Sequence, residues 1–247
     1  MTGEEWLTTG DPTAMLSRQR SQSERKSHLF ACACARRIVP LFRESERVLQ
    51  FIEAVEDSAN GPETRSDLED LRTMMWFHIG LKWSGNRDPD TLSSIALQGL
   101  WPALQMDRVL QGCSEGTGVE ALSQALDAST KKRSYRLRNR GPDISPQEAE
   151  EIRQHAIRAA RIAFCALLRD SFGNPFRPVA FDPNWRTSTV VSIAQAMYDS
   201  RDFSPMPILA DALQDAGCEH ADILDHCRGN GPHVRGCWVV DLVLEKA

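Results

Sequence analysis

The chain has 247 residues, 41% of them hydrophobic and 26% charged, which is the balance of a globular protein with one large domain or two small ones. Its formal charge of −5 argues against a dedicated nucleic-acid binder, and no apolar run nears the roughly 18 residues of a membrane span. The start, Met1-Thr2-Gly3-Glu4-Glu5-Trp6, is acidic and polar rather than basic and then apolar like a secretory signal, so a cytoplasmic location is expected.

The first helical signal is Ser21-Gln22-Ser23-Glu24, a capping box ahead of His28-Leu29-Phe30-Ala31-Cys32-Ala33-Cys34-Ala35. That run is apolar nearly all round, which predicts a central helix. Pro40 kinks or ends it, and Leu41 to Asp57 resumes a helical pattern that Asn60-Gly61-Pro62 stops. Leu68 to Trp83 reads as a further helix, and Thr91 to Leu110 as one or two more, interrupted near Pro102.

From Gly112 to Pro142 the pattern loosens. The decapeptide Lys131 to Arg140 carries six positive charges and no negative ones, as an exposed linker would. The domain reading is therefore 1–111 as an N-terminal helical region, 112–142 as a Gly-rich and basic linker, and 143–247 as a C-terminal helical region. One continuous domain is the alternative.

Ser145-Pro146-Gln147-Glu148 is a second capping box with Pro at the first helical position. Ile152, Ala156, Ala159, Ala160, Ala163 and Leu167 then recur every three or four residues, predicting a helix from about 146 to 171. Asn174-Pro175-Phe176-Arg177-Pro178 and Phe181-Asp182-Pro183 forbid regular helix and favour an extended connection, pinned by Phe176, Phe181 and Trp185. Helices follow over Thr187 to Ser200, Pro205 to Ala216 with Gly217 as C-cap, Asp222 to Arg228, and Pro232 to Leu244. Strand alternation is absent. The predicted fold is all-α, an irregular multi-helix bundle with a Pro-rich extended connection.

Asn174-Pro175-Phe176-Arg177-Pro178, Ile208-Leu209-Ala210-Asp211-Ala212-Leu213 and Gly231-Pro232-His233-Val234-Arg235-Gly236-Cys237-Trp238-Val239-Val240-Asp241 resemble a large family of uncharacterised planctomycete proteins of the Gemmata type. Glu5-Trp6-Leu7, Asp11-Pro12 and Leu29-Phe30-Ala31-Cys32-Ala33-Cys34 fit the same family, so the resemblance reaches both ends of the chain. Near the first helix that family often carries a further Cys where Ala35 stands here. The resemblance implies no activity.

Seven cysteines, an odd number in a long chain, do not resemble a secreted disulfide framework. Cys32 and Cys34 sit about 200° apart around a helix and cannot share one metal, so packing accounts for them. Potential ligands are densest near the C-terminus: Cys218, His220, His226, Cys227, His233 and Cys237. Zinc takes thiolate and imidazole ligands, usually four in a tetrahedron, and a set drawn from Cys218, His226, Cys227, His233 and Cys237 would supply them. On a helix starting at Pro232, His233 and Cys237 would share a face. No Cys-x-x-Cys knuckle is present, and burial statistics favour core packing over ligation. A Cys237–His233 contact would also allow a nucleophilic thiol, but nothing in the spacing selects an orienting carboxylate.

Two candidate surfaces for an anion or a partner remain. One is Lys131, Lys132, Arg133, Arg136, Arg138 and Arg140; the other is His233 and Arg235 at the start of the last predicted helix. Base-reading motifs are missing, so nucleic acid is disfavoured. The leading functional expectation is a non-catalytic protein-interaction or adaptor protein with a protein partner, no membrane and no required cofactor. A structural zinc module is the alternative, and a Cys/His-dependent enzyme the second.

Overall fold

Nine α-helices and no strand are present among the residues that the computed structural model describes, which are 1–18, 23–37, 39, 45–60 and 145–246. The fold is all-α, as the periodicity requires. The helices expected at Leu68 to Trp83 and Thr91 to Leu110, and the whole 112–142 linker with its basic decapeptide, lie outside the described residues. No helix among the described residues is long and apolar enough to cross a membrane.

The chain divides into two units, Met1–Thr9 with Cys165–Ala247, and Gly10–Phe164. In the second of these, helix α2 covers Pro12–Leu16, α3 Glu24–Arg36 and α4 Ser45–Ser58. The cap of α3 is Ser23, whose side chain accepts from the Lys26 amide, two residues later than a box starting at Ser21 would place it. Helix α3 packs on α4; Leu29, Phe30, Cys32 and Cys34 of the one and Ile52 of the other are buried. Buried Glu56 accepts two hydrogen bonds from Arg36, at 2.7 and 2.8 Å, which offsets the cost of removing its charge from water. The long helix α5, Pro146–Phe172, begins in this unit. Its capping box forms as the sequence predicts: the Glu148 amide donates to Ser145 Oγ, and the Ser145 amide to the Glu148 carboxylate.

The other unit opens with α1, Gly3–Thr8, a short helix that the polar start concealed. Thr2 and Glu5 form a reciprocal capping box there, and Trp6 is fully buried. Arg169, near the end of α5, anchors α1 by donating to the carbonyls of Trp6 at 2.9 Å and Thr9 at 2.6 Å. Gly173, at φ +64°, then ends α5 in a left-handed turn. The proline-rich connection that follows opens with a turn in which the Arg177 amide donates to the Asn174 carbonyl at 3.0 Å and later makes a 3₁₀ turn at Pro183–Trp185, where Phe181 meets Trp185 edge-on at 5.3 Å.

Four helices complete this unit: α6 at Ser188–Ser200, α7 at Met206–Asp215, α8 at Ala221–Arg228 and α9 at Trp238–Leu244. Helix α6 packs on α7 and α9, and α8 packs on α7 and α9. Met197, Leu209, Leu213, Ile223, Val239 and Val243 form their shared core. Full burial of a side chain such as Leu209 contributes about 1.5–3 kcal/mol. Helix α7 closes with paired bonds from the Gly217 amide to the Gln214 carbonyl and from the Cys218 amide to the Leu213 carbonyl, both 2.9 Å. Gly217 at φ +87° permits this turn, which delivers buried Cys218 to the core. At the other end of the unit, Arg186 donates to the carbonyls of Val243 and Leu242, holding the last turn of α9.

One predicted element is corrected. The last helix starts at Trp238, not at Pro232, and 229–237 is irregular. Gly229 leaves α8 in an extended conformation, Pro232 has no amide to donate, and Gly236 sits at φ +91°, outside helical space. His233 and Arg235 are therefore not in the first turn of a helix, and Cys237 is the N-cap of α9 rather than a mid-helix residue.

Candidate metal centre

Asp170 lies in the last turn of α5 and is buried. It occupies the position three residues after Leu167, continuing the apolar stripe of that helix, so folding carries a carboxylate into the core. An acid in such a place needs partners. Its Oδ2 accepts from the Val234 amide at 3.1 Å. Its Oδ1 stands 2.8 Å from His233 Nδ1 and 3.2 Å from His226 Nε2. His226 Nε2 also stands 3.2 Å from Cys237 Sγ. One ligand atom from each of Asp170, His226, His233 and Cys237 falls within 4.8 Å of the other three.

Each donor reaches this point by a different local device. The turn of α8 aims His226 inward, and the irregular 229–237 segment folds His233 back over Asp170, secured by the Val234 amide. The N-cap position of α9 holds Cys237. The two imidazoles meet edge to face, with ring centroids 4.9 Å apart. Asp170, His233 and Cys237 are enclosed, at 2%, 8% and 0% exposure, while His226 is the most accessible at 17%.

Asp170 and Cys237 set the electrostatics of the site. Burial raises the Asp170 pKa, but hydrogen bonds from His226 and His233, with their charge, outweigh it and hold the carboxyl below its ordinary value. Burial, and then the Asp170 carboxylate, push the Cys237 thiol well up, against the opposing pull of the Val240 and Val239 amides. Cys237 is consequently a protonated thiol unless a cation displaces its proton. A divalent cation would meet one carboxylate, one thiolate and two neutral imidazoles, leaving no net charge in the buried site.

Of the residues singled out from the sequence, His226, His233 and Cys237 converge, and Asp170 completes the group. Cys218 and Cys227 are buried nearby but contribute no atom to it. Burial, then the charges of Cys218 and Asp170, push the Cys227 thiol up to about 12. His220 occupies the N-cap position of α8 without a side-chain capping bond and does not join the group. Arg235 donates from Nε to the Tyr198 carbonyl at 2.9 Å and lies over the Tyr198 ring. Asp211 accepts from Arg228 at 2.9 Å. Lys131, Lys132, Arg133, Arg136, Arg138 and Arg140 lie outside the described residues.

No protein-family model matches the chain, and no curated protein or solved structure matches it either.

Proposed function

We propose that the unit containing α6 to α9 is a structural zinc-binding module, with Asp170, His226, His233 and Cys237 as ligands. The observation that carries this reading is the convergence of four donor atoms of three chemical kinds within 4.8 Å. A tetrahedral zinc with bonds of about 2.0–2.3 Å places its ligand atoms about 3.3–3.6 Å apart. The contacts of 2.8 and 3.2 Å around Asp170 and His226 would open by a few tenths of an ångström, and the wider pairs, up to 4.8 Å apart, would close by about 1 Å. Mixed sulfur and nitrogen donors favour zinc over magnesium or calcium, which take oxygen. Enclosure of the ligands favours a structural ion over a catalytic one, which keeps a position open. The ion would tie the end of α5, α8 and the start of α9 together across the irregular segment that carries His233.

The Cys/His-enzyme alternative fits the geometry less well. In a nucleophilic triad the thiol and the carboxylate lie at opposite nitrogens of the histidine. Here Asp170 and Cys237 both approach Nε2 of His226, and the sulfur is fully buried. For the protein-interaction reading, the described part of this unit offers exposed Leu7, Phe176 and Ile208 but no feature that selects a partner.

Cobalt(II) substitution tests the zinc reading. A tetrahedral cobalt spectrum with a thiolate charge-transfer band, lost in Cys237→Ser, is expected. An octahedral spectrum unaffected by that substitution would overturn it.

A further inference from the structure

The ligand with the greatest access to solvent is His226, and an aromatic ring packs against it. The Trp238 ring lies 5.2 Å from the His226 ring, centroid to centroid, tilted by 54°. Behind the indole is the backbone of Gly173: a Cβ built there would lie 3.2 Å from two Trp238 ring atoms. Gly173 is thus both the left-handed end of α5 and the floor on which the indole rests, three residues after the ligand Asp170. Trp238 itself directly follows the ligand Cys237 and begins α9. The same stretch of chain therefore supplies a ligand and an aromatic neighbour for the least buried ligand.

We propose that Trp238 is a positioning and gating residue of this site, controlling how fast ions and reagents in solvent reach His226. The part concerning metal exchange rests on the zinc reading above. The indole fixes the His226 ring from one side, while the His233 ring meets it edge-on. Removing the indole frees one side of the His226 ring to water and competing ligands without altering the donor set.

Two variants and two rates test this. Trp238→Leu keeps apolar bulk at the start of α9 but removes the aromatic cover, whereas Trp238→Phe keeps a ring. The first rate is zinc transfer from the loaded full-length chain to an excess of chelator. The second is labelling of His226 by diethyl pyrocarbonate in the metal-free chain at fixed pH, resolved by peptide mass mapping. The exposed His155 serves as the internal reference. Trp238→Leu is expected to raise both rates about tenfold, the scale on which groups supporting metal ligands act. Trp238→Phe is expected to stay near the wild-type rates, with His155 labelling unchanged in both variants. Wild-type rates in Trp238→Leu, or a Trp238→Phe variant as fast as Trp238→Leu, would overturn the proposal. If the wild-type chain takes up no zinc, the zinc reading fails, and His226 labelling alone decides whether Trp238 is the cover.

Discussion

His233 Nδ1 stands 2.8 Å from Oδ1 of Asp170, a residue 63 positions earlier in the chain. The adjacent Val234 amide donates to the other oxygen of the same carboxylate. Together these two contacts anchor the irregular segment between α8 and α9 to the end of α5. Asp170→Ala removes a buried charge and leaves the His233 imidazole and the Val234 amide without their acceptor. Loss of one member of such a buried pair costs about 3–5 kcal/mol. Asp170→Asn, which keeps an acceptor oxygen for the Val234 amide, is expected to cost less. Urea unfolding of the metal-free variants measures both, and unchanged midpoints would remove Asp170 from its central place.

The pH dependence follows from the direction of the Asp170 shift. Burial raises its pKa, but the His226 and His233 interactions prevail, so the native value lies below the unfolded one. A carboxyl shifted that way contributes stability that is fully present above the unfolded pKa and is lost as pH falls through the native one. The thermal midpoint of the metal-free chain is therefore expected to hold down to about pH 5 and to fall below about pH 4. Asp170→Asn should flatten that decline, and an equal decline in both proteins would assign the acid sensitivity to other groups.

Two glycines separate backbone strain from crowding. Gly217 at φ +87° has no atom within 4 Å of a built Cβ, so Gly217→Ala should cost only the left-handed strain, about 1–2 kcal/mol. Gly173 at φ +64° has the Trp238 ring at 3.2 Å as well, so Gly173→Ala should cost more. Chemical denaturation of the two variants checks the order, and equal losses would mean that the indole moves aside freely.

Arg169 holds α1 by donating to the carbonyls of Trp6 and Thr9. Arg169→Lys keeps the charge but replaces a planar fork by a point donor. Faster amide hydrogen exchange at residues 5–9 is expected in Arg169→Lys, with exchange in α7 and α8 unchanged. Wild-type protection of residues 5–9 would show that Trp6 burial alone holds α1.

Legibility in the sequence followed the range of the forces involved. The capping box at Ser145, the Thr187 start of α6 and the Gly217 stop after α7 are local, and each was readable from a few residues. Helix α1 was obscured because its one deeply buried side chain, Trp6, lies among polar neighbours. The stretch after Pro232 has the composition of a helix start, but Gly236 and the fold-back of His233 onto Asp170 make it irregular. Cysteines and histidines drew attention by type, whereas Asp170 looked like one acid among 34 Asp and Glu residues. Its signal was positional, an acid three residues beyond Leu167 on the buried face of α5. Which cysteine joins the group depends on how α5, α8 and α9 meet, and spacing along the chain does not encode that.

The most direct measurement is the metal content of the full-length chain, purified without an affinity tag and weighed intact under native conditions. The account predicts one zinc per chain, lost in Cys237→Ser and in His226→Ala, with a lower thermal midpoint after chelation that added zinc restores. A metal-free chain whose midpoint responds to neither chelator nor zinc would contradict it, and the Asp170 cluster would then be a hydrogen-bonded core network.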